Sequence, residues 1–410
     1  GELRGNTSSP RDAILLGQAY MLKAEFLRDL AAFHAALGAR HYAQRLQNAQ
    51  AAGSPYTRFY YGRCLYESGD YEKALRQFKT AAAQTRLPAA FRSRALLWQA
   101  ACADKLGRSA EAAQLHASVS VSGALAPEQG YIRGQAVSGS APAPFSRYAL
   151  WAAVRNGQMQ RAEALTQSLL NDLTPDVTRR VSDVLTLSYY DPVTWRIVSD
   201  YYFARAATVF RDAGSNPKLA YYAALNAVQA GLPDQAEQDL NAAGAVPPAD
   251  IVRGAIQAPR DIRKVHSLWT PLLNSDQCIN LLPLAGRYYH SLPRTAPYTR
   301  AVNAQQPQSR RGGLLLGRAA LLMHENQTAL QALMNEYPAL QHNNVDYIGP
   351  AYLITLAHAK LTAGRRYFSD ILGHVTAVRE VWDVTTPALN LAQAFMAPDN
   401  PHAGSQKRPN

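Results

Sequence analysis

The chain is poor in cysteine and has no long apolar run. Its 410 residues include 3 cysteines, which are Cys64, Cys102 and Cys278. An odd number at such wide spacing matches neither a disulfide framework nor a zinc site, so we expect three small buried side chains. No run of about 18 apolar residues is present, and the sequence therefore predicts no transmembrane segment in this chain.

Catalytic signatures are also missing. The sequence contains no GxSxG, Walker phosphate loop, HExxH or CxxCH motif. His34 and His41 are close enough in sequence to share a helix face, but they lack the carboxylate or thiolate partners of a zinc site. Asp and Glu are scattered and form no evident catalytic pair. The sequence therefore predicts no catalytic residue, no cofactor and no metal.

Acidic residues are in the minority. The chain has 42 Lys and Arg against 30 Asp and Glu, which gives a formal net charge of +12. Such a balance favours acidic partners, whether an acidic protein face, a nucleic acid or an anionic lipid surface. The positive charge is not gathered into long runs: the arginine pairs Arg179-Arg180, Arg310-Arg311 and Arg365-Arg366 are far apart. Scattered arginines of this kind are typical of a solvated surface.

What the sequence does contain is helical periodicity almost throughout. Apolar residues recur at spacings of three and four, and no window alternates as a strand would. Helix starts are marked by a capping side chain followed by proline at the first helical position. These signals occur at Ser9-Pro10, Ser54-Pro55, Thr174-Pro175, Asp191-Pro192, Asn216-Pro217, Thr270-Pro271 and Thr386-Pro387. The pattern predicts an all-α protein.

Residues 55–86 carry the most informative motif. Gly62 and Ala74 are small at positions where two helices would cross closely, Gly69 permits a tight turn between them, and Phe78 fills the space beside the crossing. This segment resembles the tetratricopeptide repeat (TPR), a helix-turn-helix unit of about 34 residues. The resemblance implies stacked units that bind peptides or proteins.

The same spacing recurs less clearly along the chain. A short segment near the N-terminus, Leu15 to Tyr20, resembles the first helix of a unit whose second helix does not match in the following sequence. Further candidate units combine Gly107 with Ala112, Gly157 with Ala162, Gly231 with Ala236, Gly317 with Ala329, and Gly364 with Ser369; in the Gly317 unit, His324 takes the place of the turn glycine. The expected fold is a right-handed α-solenoid of TPR-like repeats, with irregular helical pairs and long loops.

Composition suggests a division of the chain into two helical lobes. A stretch rich in Ser, Gly, Ala and Pro separates them, and we expect it to be a loop or hinge. The polar C-terminal tail is expected to be disordered. The predicted boundaries are an N-terminal extension at 1–10, a TPR-like lobe at 11–120, the loop at 121–146, a TPR-like and irregular solenoid at 147–396, and the tail at 397–410.

In TPR proteins the first helix of each unit lines a concave groove, so the resemblance implies a set of partner-binding residues. Transferred by position, they are Tyr56, Phe59, Arg63, Tyr66, Lys105, Arg147, Trp151, Arg155, Lys218, Tyr221, Arg311 and Arg318. A groove that mixes arginine with aromatic residues suits an acidic or aromatic-bearing peptide. The TPR subtype that reads C-terminal carboxylates has Asn where this chain has Tyr60 and Arg63, so that activity is not implied here.

Tyrosine doublets add a second candidate class of contact residue. They are Tyr60-Tyr61, Tyr189-Tyr190, Tyr201-Tyr202, Tyr221-Tyr222 and Tyr288-Tyr289. Adjacent residues on a helix point about 100° apart, so one ring can fill the core while the other lies near the surface. Tyr and Arg are common interface anchors, and ordinary packing between repeats is the alternative.

Three functions are compatible with these patterns. The first is a noncatalytic scaffold or assembly subunit that binds protein partners. The second is an RNA-binding helical-repeat protein; nucleic acid is disfavoured because the repeats lack the regular register that base reading needs. The third is an envelope enzyme built on a helical scaffold. Irregular repeats and a start at Gly1 favour a bacterial envelope or secretion assembly facing the periplasm, whereas unpaired cysteines favour the cytosol.

Overall fold

The protein is described by a computed structural model, which covers residues 10–47, 55–119, 125–136, 146–173, 192–246, 248–289, 292 and 294–336. Within these ranges the chain is all-α and contains no strand. The helices are α1 (Pro10–Gln47), α2 (Pro55–Glu67), α3 (Tyr71–Ala82), α4 (Ala89–Lys105), α5 (Ser109–Ser118), α6 (Ala126–Arg133), α7 (Ser146–Arg155), α8 (Met159–Leu173), α9 (Pro192–Asp212), α10 (Pro217–Gln229), α11 (Pro233–Ala243), α12 (Ala249–Gln257), α13 (Ile262–Trp269), a 3-10 segment (Thr270–Asn274), α14 (Cys278–Tyr288), α15 (Ala296–Ala304), α16 (Arg310–Leu322) and α17 (Asn326–Glu336).

Of the five predicted prolines in the described residues, four begin an α-helix, and these helices are α1, α2, α9 and α10. The signal at Thr270-Pro271 does not: Thr270 begins a short 3-10 segment, and its hydroxyl donates to the His266 carbonyl oxygen instead of capping a new helix. At α10 the Asn216 side chain accepts a hydrogen bond from the Lys218 backbone N–H at 2.9 Å, so the cap satisfies one of the open donors of the first turn. The signals at Thr174 and Thr386 lie outside the described residues.

Helices α2 and α3 form the helix-turn-helix that residues 55–86 predict. The turn is at Gly69, whose φ of 81° is in the left-handed region that glycine adopts without strain. Asp70 caps α3 through the Lys73 backbone N–H. The two helices cross at Gly62, where an added Cβ would lie 2.9 Å from the Phe78 ring. A side chain at position 62 would therefore force the crossing apart.

The left-handed turn recurs in three other helical pairs, which are α4–α5, α7–α8 and α10–α11. Gly107, Gly157 and Gly231 have φ values of 74°, 67° and 73°. At the equivalent place between α16 and α17 the residue is His324, with a φ of 61°. A side chain at such a φ is strained because its Cβ approaches the backbone carbonyl.

This strain yields a stability prediction. Replacing His324 with Gly removes the strain, and we expect a gain of about 0.5–1 kcal/mol after the added flexibility of the unfolded chain is offset. Gly157→Ala is the matched reverse change, since an added Cβ there meets no other atom within 4 Å, and it should cost about 1 kcal/mol. Urea unfolding of both variants measures these differences; equal effects in the same direction would contradict the argument.

Helix α1 finds its partner far along the chain. Its first half packs along α9 more extensively than any other pair of described helices. An added Cβ at Gly17 would lie 2.9 Å from the Phe210 ring, the same arrangement as Gly62 and Phe78. Ala206 is fully buried, one turn before Phe210, as Ala74 is before Phe78. The segment that starts at Leu15 therefore has a matching second helix, supplied by residues 192–212.

Two groups of ion pairs fix α1 to the later helices. Arg318 on α16 donates to both carboxylate oxygens of Asp29, at 2.9 and 2.6 Å, and to Glu25 at 3.2 Å. Arg28 pairs with Asp200 on α9. The second half of α1 packs on α2, where the Tyr42 and Tyr60 rings stack. Helix α1, which belongs to the predicted lobe at 11–120, thus contacts α9 and α16 of the predicted segment at 147–396.

Part of the segment expected to be a loop is helical. Residues 126–133 form α6, which packs on α4 and α7. Its Glu128 side chain is completely buried, and this burial holds the short helix in place despite the Gly- and Pro-rich composition around it. The rest of the expected loop lies largely outside the described residues, as do residues 1–9 and the tail at 397–410.

The three cysteines are buried, as the sequence predicts. Burial raises the pKa of the Cys64, Cys102 and Cys278 thiols, to about 11 for Cys278. A thiol with a raised pKa is a poor nucleophile at neutral pH. These side chains therefore act as small apolar residues in the core.

Candidate functional site

The predicted contact residues of α2 lie in a packed aromatic layer. The Phe59 ring contacts Phe78 and Phe91 with centroid distances of 5.6 and 4.7 Å. Arg63 is only 2% exposed, and its guanidinium lies 4.8 Å from the centre of the Trp98 ring. Tyr56 packs edge-on to Phe91, and Tyr66 to Trp98. These side chains hold α2 against α4. Partner contact by Phe59 or Arg63 stays a prediction that would require them to leave this layer.

Next to this layer, a group of buried polar side chains surrounds Glu128. We call Glu128 and its partners Arg94, Trp98 and Tyr148 the ionic hub. Arg94 donates to both carboxylate oxygens of Glu128, at 2.6 and 3.0 Å. Trp98 Nε1–H and the Tyr148 hydroxyl donate to Oε1 at 2.9 and 3.0 Å. Burial opposes ionisation, but Arg94 and these donors outweigh it and lower the pKa of Glu128 to about 2. The hub therefore joins α4, α6 and α7 through one ionised carboxylate.

Most of the remaining predicted residues lie on α7, α10 and α16. Arg147 donates to Thr194 Oγ1 at 3.0 Å, which ties α7 to α9. Trp151 is buried beside Tyr131. Lys218 is exposed and Tyr221 half-buried at the start of α10, where neighbouring Tyr222 is 42% exposed. Arg318 is engaged with α1, as described above. Arg311 lies in α16, and its side chain is outside the described residues.

Two other predicted residues, Lys105 and Arg155, belong to a set of cations around the end of α10. The α10 C-terminus has the partial negative charge of a helix end, which attracts cations. Arg28 from α1 and Arg287 from α14 both donate to the Gln229 carbonyl oxygen, at 3.2 and 3.0 Å, and both donate to its side-chain oxygen. Arg155 from α7 packs directly over Gly231, just beyond this end.

Lys105 and Arg196 extend the set toward α2. Arg196 donates a hydrogen bond to Glu67 at 2.9 Å, and the Arg196 side chain is 37% exposed. Lys105 is exposed at the end of α4. Partial desolvation by the surrounding helices, together with the charges of Arg196 and Arg287, lowers the pKa of Lys105. We call Arg28, Lys105, Arg155, Arg196 and Arg287 the cationic cluster.

Carboxylates compensate this cluster only in part. Asp200 pairs with Arg28, and Glu67 with Arg196. Burial and then Arg287 lower the pKa of Arg28, although Asp200 acts in the opposite direction. The cluster therefore has a positive potential that its own acids do not cancel.

Sequence reasoning missed three members of the cluster. Arg28 lies outside any recognised repeat, Arg196 follows a proline signal, and Arg287 precedes the doublet Tyr288-Tyr289. Each comes from a different helix, and only the tertiary fold brings them to the end of α10. An arginine adjoining an aromatic pair was the one local signal, since Arg287 lies 5.9 Å from the Tyr288 ring centre.

Buried carboxylates across the described residues are paired with arginine. Besides Glu128, these include Asp29 with Arg318 and Asp239 with Arg211. No group of three or more His, Cys, Asp or Glu residues suited to a metal ion occurs in the described part of the chain. No helix in that part combines the length and apolarity needed to cross a membrane.

The chain matches no protein-family model. No curated protein is similar enough to count as a match.

Proposed function

We propose that this protein is a noncatalytic scaffold built from TPR-like helical pairs, and that it binds a segment of a protein partner within a larger assembly. The observation that carries the proposal is the repeated helix crossing. A small residue faces a large apolar one at Gly62 and Phe78, at Gly17 and Phe210, and again at Gly317 and Leu333. Helical pairs that cross in this way stack side by side, and stacked pairs present extended binding surfaces.

The ionic chemistry of the described residues also supports a binding role. A general acid or base needs a carboxyl group whose pKa lies near the working pH. Glu128 has the opposite property, because its lowered pKa keeps it ionised and bound to Arg94. Arginines and aromatic side chains, by contrast, are the residues that most often anchor protein interfaces.

Affinity purification from the native organism tests this function. The immobilised chain is exposed to a native extract at low and high salt, with and without nuclease, and bound proteins are identified and quantified. We expect a stoichiometric protein that survives nuclease and rebinds to the chain when both are purified. Recovery of nucleic acid alone, lost at high salt, would contradict the scaffold and favour the RNA-binding alternative.

Arg63 is a poor position for a binding variant. Its side chain is buried on Trp98, so a change there alters folding as well as any contact. Exposed Lys218 is better suited, because its side chain does not take part in the core. The same purification with Lys218→Glu therefore examines the start of α10 without the complication of unfolding.

A further inference from the structure

We propose that the cationic cluster is the docking site for an acidic segment of the protein partner, with neighbouring carboxylates bound by Lys105, Arg155 and Arg287. This inference rests on the scaffold function proposed above and assigns its partner a chemistry and a place. It shares Lys105 and Arg155 with the groove expected from the repeats, but it does not use the α2 residues of that groove, which are packed against α4.

The first argument is charge balance. The cluster has five cations, and its paired acids are Glu67 and Asp200. Asp104 is a third acid beside Lys105, half-exposed and 3.6 Å from His116. Even when Asp104 is counted, five cations against three carboxylates leave two positive charges. A segment with two or three carboxylates would neutralise them.

The second argument is the supply of unused donors. The Lys105 side chain makes no hydrogen bond or ion pair with any other described residue. Arg155 lies over the Trp151 ring at 5.2 Å, and its buried Nε–H has no acceptor in the described structure. Arg287 bonds only to the oxygens of Gln229 among these residues. An unpaired buried donor is costly, so a bound carboxylate would stabilise this arrangement.

The third argument is access. The Arg28 side chain is 25% exposed, and the Arg196 side chain is 37% exposed. Lys105 is exposed as well. The surrounding helices nevertheless desolvate the Lys105 ammonium in part, and this lowers its pKa. The cluster is thus reachable from solvent while its walls reduce screening, a combination that strengthens binding of an oppositely charged group.

The geometry favours spaced carboxylates over a compact phosphate. Phosphate groups are commonly held by backbone N–H groups at a helix N-terminus. The cluster instead surrounds a helix C-terminus, whose free backbone groups are carbonyl oxygens and not the N–H donors that hold a phosphate. Its cations also come from five separate helices, and Arg28 and Arg196 already hold one carboxylate each. Single carboxylates spread along a peptide match this distribution.

Fluorescence anisotropy with a labelled peptide tests the site. The probe is an eight-residue peptide of Glu, Asp and Gly, compared with a peptide in which Gln and Asn replace the acids. We expect the acidic peptide to bind at low salt and to weaken as salt screens the cluster. The Lys105→Gln, Arg287→Gln double variant should weaken binding about tenfold or more, since two charge-assisted contacts are lost.

The control for this double variant is Arg260→Gln. Arg260 is about as exposed as Arg196 but pairs with Asp234 and Glu237 on the surface, so affinity should change less than twofold. Lys105→Gln alone should weaken the peptide severalfold with an unchanged melting temperature, which separates binding from folding if the double variant is unstable. Equal affinity of the parent and Lys105→Gln would overturn the proposal.

Competition separates the sources of negative charge. Tripolyphosphate or single-stranded RNA that binds tightly, where the acidic peptide does not, would overturn the assignment to carboxylates. If purification recovers a protein partner whose affinity is the same for the double variant, the cluster assignment fails while the scaffold stands. If the peptide binds but no protein partner is recovered, the scaffold function fails instead.

Discussion

Replacing Glu128 with Gln is expected to lower the free energy of unfolding by about 3–5 kcal/mol, because it leaves the buried Arg94 guanidinium without its counter-charge. The Glu128 side chain is fully buried and accepts from Arg94, Trp98 and Tyr148. Gln keeps one acceptor oxygen but supplies no negative charge and adds an amide that needs its own partners. Urea unfolding monitored by circular dichroism at pH 7 measures the loss.

The effect should depend on pH in a defined direction. The pKa of Glu128 falls from 4.5 to about 2 on folding, so the unfolded chain binds its proton more readily. Its contribution is therefore present above about pH 4.5 and is lost as the pH falls toward 2. A depression of this size corresponds to roughly 3 kcal/mol. The difference between the parent and Glu128→Gln should shrink over that range.

Glu111→Gln provides the control. Glu111 is exposed and lies 3.9 Å from Arg108, and a surface pair of this kind contributes at most about 1 kcal/mol. We therefore expect only a small change in the free energy of unfolding at pH 7. A Glu128→Gln variant as stable as Glu111→Gln at pH 7 would show that the ionic hub does not stabilise the fold.

Phe210→Ala is the second change with a large expected effect, about 3–5 kcal/mol for the loss of a buried aromatic side chain. Phe210 is 1% exposed and fills the crossing of α1 and α9 against Gly17. Its removal leaves a cavity between segments from distant parts of the chain. We therefore expect hydrogen exchange in the first half of α1 to accelerate, in addition to the loss of global stability.

Phe78→Ala separates these two effects. Phe78 occupies the corresponding position against Gly62, within the local α2–α3 pair, so its loss should cost a similar free energy. Exchange in residues 10–28 should then stay slower than in Phe210→Ala when both are compared under conditions of equal global stability. Identical exchange of α1 in the two variants would contradict a specific dependence of α1 on α9.

Sequence reasoning reached the parts of this fold that depend on neighbouring residues. The helix starts at four of the predicted prolines, the turn at Gly69 and the substitution of His324 for a turn glycine follow from local backbone conformation, and the structure has them. The burial of the cysteines follows from their chemistry. These features need only a few adjacent residues to be recognised.

The pairing of helices that are distant in sequence could not be predicted from such local patterns. Gly17 shows that a second helix is needed, but nothing in its surroundings indicates that residues 192–212 supply it. Glu128 was hidden in a segment whose composition suggests a loop, because its partners Arg94 and Tyr148 lie on other helices. The cationic cluster was missed for the same reason, since its members come together only when five helices have packed.

Because α1 packs on α9, the first helix to be synthesised cannot complete its packing until much of the chain has been made. When α1 has left the ribosome, about 165 further residues must be made before Asp212 is complete. At about 5–20 residues per second this takes roughly 8–33 s. Throughout that interval Ala24 and Leu27, which are fully buried in the finished protein, have no α9 to cover them. The nascent chain therefore presents a long helix with uncovered apolar side chains to chaperones and to other nascent chains while its local helical pairs are already able to form.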